Sequence, residues 1–430
     1  MIARAAKKLK RELEKAIKDT AKRNKVFRKI AHSTNRTILK ICYLFFFRIP
    51  YNVQDNVVVF ESFWSKSYSC NPKALYEDML KDPQYDSYIF VWSFRNVERS
   101  AARIRQESPN DRTIFVKYKS RDYYKYYSKA QYAVRNARLP EGITKKRNQV
   151  HIQTWHGTPL KRLGHDLQGK GVNPNYTLKE SRDKYDRDIK DCDYMLSASK
   201  FCTEKLISSF NLKGLAKENI IIEEGYPRND FLFNATNEDV SRIRAEIGIP
   251  EDKKVILYAP TWRDAFHATG EGYTYDLSID FERLQEVFQD EYVILLRAHY
   301  LIANSFDLEK FKGFVFDLSE YDDINHLYVV ADLLVTDYSS VFFDYANLKR
   351  PIIFYMYDLK HYESEARGFY LSLAELPGPI VETEDALIGA IQAAGELSDK
   401  YEEPYPQFNK KFNYLDDGKA GERVLQRIGV

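Results

Sequence analysis

From residue 55 onward, short apolar runs alternate with longer polar stretches of helical periodicity. Val57–Phe60, Tyr88–Phe94, Thr113–Tyr118, Gln131–Val134, Val150–Trp155 and Tyr194–Ser197 predict one series of strands. Val255–Ala259, Val293–Arg297, Phe314–Asp317, Leu333–Thr336 and Pro351–Tyr355 predict a second. Pro72–Leu80, Lys200–Phe210, Phe281–Phe288 and Ile324–Val330 predict helices between them. Near-continuous apolar strands separated by helices are the pattern of parallel sheets covered on both faces. Two series predict an α/β fold of two doubly wound, Rossmann-like domains facing a cleft, with ligands at the carboxyl ends of the strands. The stretch Tyr226–Pro250, with its polar run Asn234–Asp239, reads as the connection between them.

The first fifty residues follow another pattern. Residues 1–31 lack Pro and Gly, and Leu9, Leu13, Ala16, Ile17 and Thr20 share one helical face, continued by Val26, Phe27 and Ile30. An apolar run, Ile41 to Phe47, comes before Arg48-Ile49-Pro50. Charge sharpens the contrast. Residues 1–48 hold 15 Lys/Arg and 3 Asp/Glu, net +12, leaving 50 basic and 59 acidic residues elsewhere, net −9. A basic amphipathic helix with an aromatic anchor suits an anionic membrane surface. The expected organisation is therefore a membrane-associating arm over residues 1–50 and two Rossmann-like domains over 51–228 and 229–430. A nucleic-acid partner is not expected.

Composition removes other classes. The chain has 430 residues, 44% hydrophobic and 30% charged, which excludes a mostly disordered protein. Its four cysteines include no C-x-x-C pair, so neither a zinc site nor a disulfide framework is expected. No run reaches the length of a membrane-spanning helix. Gly164–Gly171 imitates a phosphate-binding loop but ends in Gly171 where a Ser or Thr would hold Mg²⁺. Asp186-x-Asp188 and Asp191-x-Asp193 read as a solvated helical face.

Four segments carry the candidate chemistry. In Gln153-Thr154-Trp155-His156-Gly157-Thr158-Pro159-Leu160-Lys161, a strand delivers His156 at its carboxyl end. Gly157 permits close approach of a substrate, and Thr158-Pro159 reads as a helix cap and first turn. His156 is placed as a general base. In Val293 to His299, Arg297 and His299 stand two residues apart and point to one side, suited to phosphate. In Leu333 to Asp344, a strand ends at Thr336, followed by Asp337 and by Ser339-Ser340 before an apolar helix. Tyr258 to Arg263 brings Thr261 and Arg263 towards the same pocket.

Together with Gly225-Tyr226-Pro227-Arg228, these motifs resemble the CDP-glycerol glycerophosphotransferase family, the teichoic acid glycerol- and ribitol-phosphate transferases. The resemblance covers roughly residues 55–390, and His156-Gly157-Thr158-Pro159-Leu160-Lys161 is its most specific element. It implies a GT-B-like architecture and a peripheral enzyme on the cytoplasmic face of the cell membrane. The implied reaction moves polyol phosphate from CDP-glycerol or CDP-ribitol to an undecaprenyl-diphosphate-linked hydroxyl, releasing CMP. His156 and His299 are then the catalytic candidates. Arg297, Ser339, Ser340, Thr261, Arg263 and Asp337 face donor and phosphate, and Gly157, Thr158 and Lys161 the acceptor. The motifs contain no metal cage and imply no cofactor; the metal requirement is left open. The competing readings are a nucleotide-sugar glycosyltransferase of the same fold and a membrane-bound scaffold without catalysis.

Overall fold

The computed structural model describes residues 25–168, 177–261, 279–298, 308–360, 368–394 and 404–429. Of residues 25–32 and 404 it describes the backbone alone. The first sheet holds β1 (Gln54–Glu61), β2 (Ile89–Phe94), β3 (Thr113–Lys117), β4 (Ala130–Arg135), β5 (Val150–Gln153), β6 (Tyr194–Ser197) and β7 (Ile221–Glu223). The second holds β8 (Lys254–Ala259), β9 (Tyr292–Leu296), β10 (Val315–Asp317), β11 (Leu333–Thr336), β12 (Ile352–Tyr355) and β13 (Ile380–Val381). Their orders are β3-β2-β1-β4-β5-β6-β7 and β10-β9-β8-β11-β12-β13. Every adjacent pair is parallel.

Both sheets reverse strand order once, at β1/β4 and at β8/β11. Parallel strands diverge above such a reversal, opening a crevice where ligands bind in doubly wound folds. Glu61 pairs with Arg135 at the first reversal, and Ala259 with Thr336 at the second. The residues that follow these pairs are therefore the ones to examine for chemistry. The fold is α/β and GT-B-like, with the two sheets on either side of one cleft.

The strands form because their side chains are buried on both faces. Val57, Val58, Val59 and Phe60 are inaccessible, as are Val255 and Leu257. Helix starts are capped as their sequences require: Asn96 accepts from Arg99 N, Ser120 from Tyr123 N and Ser199 from Cys202 N. Residues 226–250 are not an extended connection. They fold into the helices Asp230–Asn234 and Asn237–Ile247, the second opened by a Thr236/Asp239 capping box and closed by left-handed Gly248.

The two halves interpenetrate. Val424, Leu425 and Ile428, from the helix Ala420–Ile428, lie in the hydrophobic core of the first sheet. In the other direction Leu160 is buried in the core of the second. Around it, Lys161 bridges Phe369, Arg162 N donates to Gly368 O (3.0 Å) and Tyr370 N to Leu160 O (2.9 Å).

A helix covers Lys25–Tyr43 and loosens into a π turn over Leu44–Arg48, where Ile49 N donates to Leu44 O (3.0 Å). The expected apolar face at Leu9, Leu13, Ala16, Ile17 and Thr20 lies outside the described residues. The aromatic run divides. Tyr43 is buried, and Tyr43 and Phe47 both pack on Tyr124, whereas Phe45 and Phe46 are 61% and 68% exposed beside exposed Ile38, Ile41 and Ile49. Among the described residues no helix is long and apolar enough to cross a membrane.

Candidate active site

His156 stands just beyond β5. Trp155 before it adopts φ +53°, which turns the chain out of the strand and lays the two rings 4.3 Å apart. Asn71, at the start of the helix Cys70–Lys81, fixes this bend by donating to Thr154 O (3.0 Å) and Trp155 O (3.4 Å). The imidazole Nδ1 donates to the backbone carbonyl of Asn136 (2.8 Å), at the end of β4. That bond selects the tautomer and leaves Nε2 with a lone pair for accepting a proton. Desolvation within the cleft, with the Arg228 and Arg138 guanidiniums, holds the imidazole below its ordinary pKa. The side chain is still open to solvent on its cleft side, which limits the desolvation. Both effects leave it neutral at pH 7, the form a base requires.

Across the cleft stands a wall from the second sheet. A cavity of about 200 Å³ is lined by His156, Gly157, Phe63, Arg228, Arg297, Tyr328 and Ser340, among others. The approach is close: a Cβ on Gly157 would stand 3.4 Å from Ser340 Oγ and 3.9 Å from Arg228 Nη2. Arg297 is held by Leu318 O (2.6 Å) and Ser319 O (2.9 Å), and Ser340 starts the helix Val341–Tyr345 without a side-chain cap bond.

Arg228 ties the walls together. Its Nε and Nη2 donate to the two Asp344 oxygens (3.0 and 2.9 Å), and its backbone N donates to Asn71 Oδ1 (3.1 Å). Burial opposes the Arg228 charge, but Asp344 more than offsets it and drives the pKa well above the usual value. A larger cavity of about 730 Å³ lies behind the cleft and shares Cys70, Arg228 and Asp323 with it. Its walls carry the ion pairs Lys73–Asp323, Lys73–Glu107 and Arg103–Glu107.

The structure thus brings together His156, Gly157, Arg297 and Ser340. Ser339 is half-buried beside Ser340. Thr261 and Asp337 meet across the second strand reversal, where Asp337 Oδ1 accepts from Thr261 N (2.9 Å) and Tyr338 N (2.6 Å). His299 and Arg263 lie outside the described residues. Thr158 is buried, and Lys161 sits in the bridge to Phe369. Thr158-Pro159 does not open a helix, because the next three residues pair with 368–370 instead. The acidic run is also not a solvated face: His165 pairs with Asp186 (2.6 Å), Asp193 with Lys145, and Asp188, buried, with Arg138 (3.8 Å). Among the described residues no His/Cys/Asp/Glu group is arranged to hold a metal ion. Asn71, Asn136, Asp344 and Phe63 were not singled out from the sequence, although Asp344 closes one motif and Arg228 another.

Residues 41–429 match the family described as CDP-Glycerol:Poly(glycerophosphate) glycerophosphotransferase. The chain belongs to that family. It is 40% identical over 425 residues to the teichoic acid poly(glycerol phosphate) polymerase of Bacillus subtilis (strain 168), covering 98% of this chain and 54% of that one. The chain thus spans about half the length of that curated relative. A polymerase of the same description from Bacillus spizizenii (strain ATCC 23059 / NRRL B-14472 / W23) is 37% identical over 400 residues, covering 91% of this chain and 97% of the relative. Among solved structures, a variant of the wall teichoic acid polymerase TagF soaked with CDPG superposes with TM-score 0.82 at 38% identity, over 94% of this chain and 97% of that chain.

Proposed function

We propose that the protein transfers glycerol phosphate from CDP-glycerol to a hydroxyl of a membrane lipid-linked acceptor in teichoic acid synthesis, releasing CMP. The observation that carries this reading is the His156 tautomer: Nδ1–H is committed to Asn136 O, and Nε2 opens on a cleft whose far wall carries Arg297 and Ser340. Nε2 takes the proton of the acceptor hydroxyl. The acceptor oxygen bonds to the phosphorus that bears glycerol, and the bond from that phosphorus to the CMP oxygen breaks. Arg297, Ser339 and Ser340 hold the diphosphate, and Arg263 and His299, read from the sequence, assist with donor and departing CMP. The helix Val341–Tyr345 has only five residues, so hydroxyls and guanidinium, rather than a long helix dipole, supply the stabilisation. Gly157, Thr158 and Lys161 shape the acceptor side.

The domain roles follow: residues 51–228 present the base and acceptor, and residues 229–430 bind the CDP-alditol. Residues 1–50 attach the enzyme peripherally to the cytoplasmic face of the membrane, a reading supported by the exposed Ile38, Ile41, Phe45, Phe46 and Ile49 beside a basic segment. The donor is tested by offering CDP-glycerol, CDP-ribitol and UDP-sugars with a lipid-linked acceptor and measuring CMP or UDP release. Acceptor-dependent CMP release from CDP-glycerol is expected. UDP release alone would establish the sugar-transferase reading instead.

A further inference from the structure

The turn after β1 is the most unusual backbone beside the cleft. Phe63, Trp64 and Ser65 are consecutive non-glycine residues at φ +46°, +55° and +62°. Single residues visit this region occasionally; three in a row persist only where surrounding bonds over-determine them, and such segments cluster at functional sites. Here hydrogen bonds hold three of the four peptides from Ser62 to Lys66. Phe63 N donates to Asn136 Oδ1 (2.8 Å), Arg95 Nε to Trp64 O (3.0 Å), Arg95 N to Ser65 O (2.8 Å) and Lys66 N to Ser62 O (3.1 Å).

This bracing presents an aromatic ring. Phe63 lines the cavity, and its ring meets the His156 imidazole edge-on with centroids 5.8 Å apart. One residue serves both: Asn136 locks the turn with its side chain and the imidazole with its backbone carbonyl. Phe63 and Asn136 also stand on opposite sides of the first strand reversal, at the mouth where the fold opens a crevice. In the same turn Trp64 is 40% exposed and Lys66 is an exposed cation, and Arg95, which braces the turn through Trp64 O, is exposed too.

We propose that the Phe63 turn is an acceptor-recognition element whose ligand is a polyol-phosphate terminus. The apolar C–H face of the polyol packs on Phe63, which directs its hydroxyl to His156 Nε2. The phosphodiester behind it meets Lys66 and Arg95. The inference rests on the transferase reading above, in which the opposite wall, with Arg297 and Ser340, is taken by the donor.

The test uses the full chain with two short-chain prenyl-diphosphate saccharide acceptors, one ending in glycerol phosphate and one ending in bare sugar. Wild type, Phe63→Ala, Phe63→Tyr and Lys66→Gln are compared. For the glycerol-phosphate acceptor, Phe63→Ala is expected to raise acceptor KM about three- to tenfold, the scale of one aromatic contact. Its kcat should stay within about twofold and Phe63→Tyr near wild type. Lys66→Gln should raise KM for that acceptor and not for the bare sugar. CDP-glycerol affinity by calorimetry should be unchanged, which also reports an intact fold. An unchanged acceptor KM in Phe63→Ala would overturn the proposal. So would a fall in kcat alone, which would make the ring a support for His156, or a parallel loss of CDP-glycerol affinity. Equal KM changes for both acceptors would overturn the polyol-phosphate assignment. A wild-type protein that releases no CMP from CDP-glycerol with either acceptor would refute the transferase reading itself, and this proposal with it.

Discussion

One hydrogen bond decides which nitrogen of His156 can act. With Nδ1 committed to Asn136 O, loss of the imidazole removes the proposed base and leaves the Arg297 and Ser340 wall in place. His156→Ala is expected to lower kcat by about 10²–10⁴-fold while calorimetry finds CDP-glycerol binding unchanged. The pH profile follows from the downward shift at His156, whose causes are cleft desolvation, then Arg228 and Arg138. The neutral form is active, so kcat/KM should fall on the acid side, with its limb below the ordinary imidazole value of about 6.5. A limb at or above neutrality would show that another group titrates. Asn136 illustrates what sequence reading cannot reach. It belongs to no periodic pattern and no chemical motif, and its importance arises because β4 happens to end where both His156 and Phe63 need a partner.

At the scale of elements, the buried parallel strands were legible because each is a near-continuous apolar run. β7 and β13 were not, since three and two residues carry no measurable period. The helix Asn237–Ile247 was legible in principle through Thr236-x-x-Asp239 and Gly248, but its polar face resembled a linker. The Thr158-Pro159 cap failed for another reason: long-range pairing with 368–370 overrode a local propensity. The N-terminal helix separates buried from exposed rings in a run that its sequence merges. Phe45→Ser with Phe46→Ser should abolish co-sedimentation with anionic vesicles and leave the melting temperature unchanged, because both rings are exposed. Tyr43→Ala, by contrast, should destabilise the protein by about 3 kcal/mol in chemical denaturation, since that ring is buried against Tyr124. Unaltered vesicle binding in the double variant would place the anchor elsewhere.

At the scale of the whole molecule, the halves are joined by a buried charge cluster. Lys73 Nζ reaches Asp323 (3.0 Å), Glu107 (3.1 Å) and His326 Nε2 (3.3 Å). Breaking it is costlier than never having it: Lys73→Met should destabilise by about 3–5 kcal/mol by leaving the buried Asp323 carboxylate without its cation, while Glu107 keeps Arg103. His326 adds a pH dependence. Burial first, then Lys73, lowers its pKa to about 4, whereas the unfolded chain titrates near 6.5. Between those values the unfolded state binds the extra proton, so His326's contribution is complete above about 6.5 and declines as pH falls towards 4. Denaturation midpoints of wild type and His326→Gln should therefore converge on acidification through that window. Parallel curves would assign the acid sensitivity to other groups.

The helix Ala420–Ile428, set into the core of the first sheet, has a consequence for how the protein is made. Among the described residues every other member of that core lies at or before Tyr226. A ribosome therefore releases almost all of the first half long before the helix that seals it exists. Until Val424, Leu425 and Ile428 emerge, the nascent first half carries an open apolar groove on an otherwise assembled sheet, the kind of surface that engages chaperones or invites aggregation. Translation arrested after residue 400 should leave the first half sensitive to protease, and adding a peptide spanning 404–429 should restore its protection. Protection without the peptide would mean that the first half seals itself.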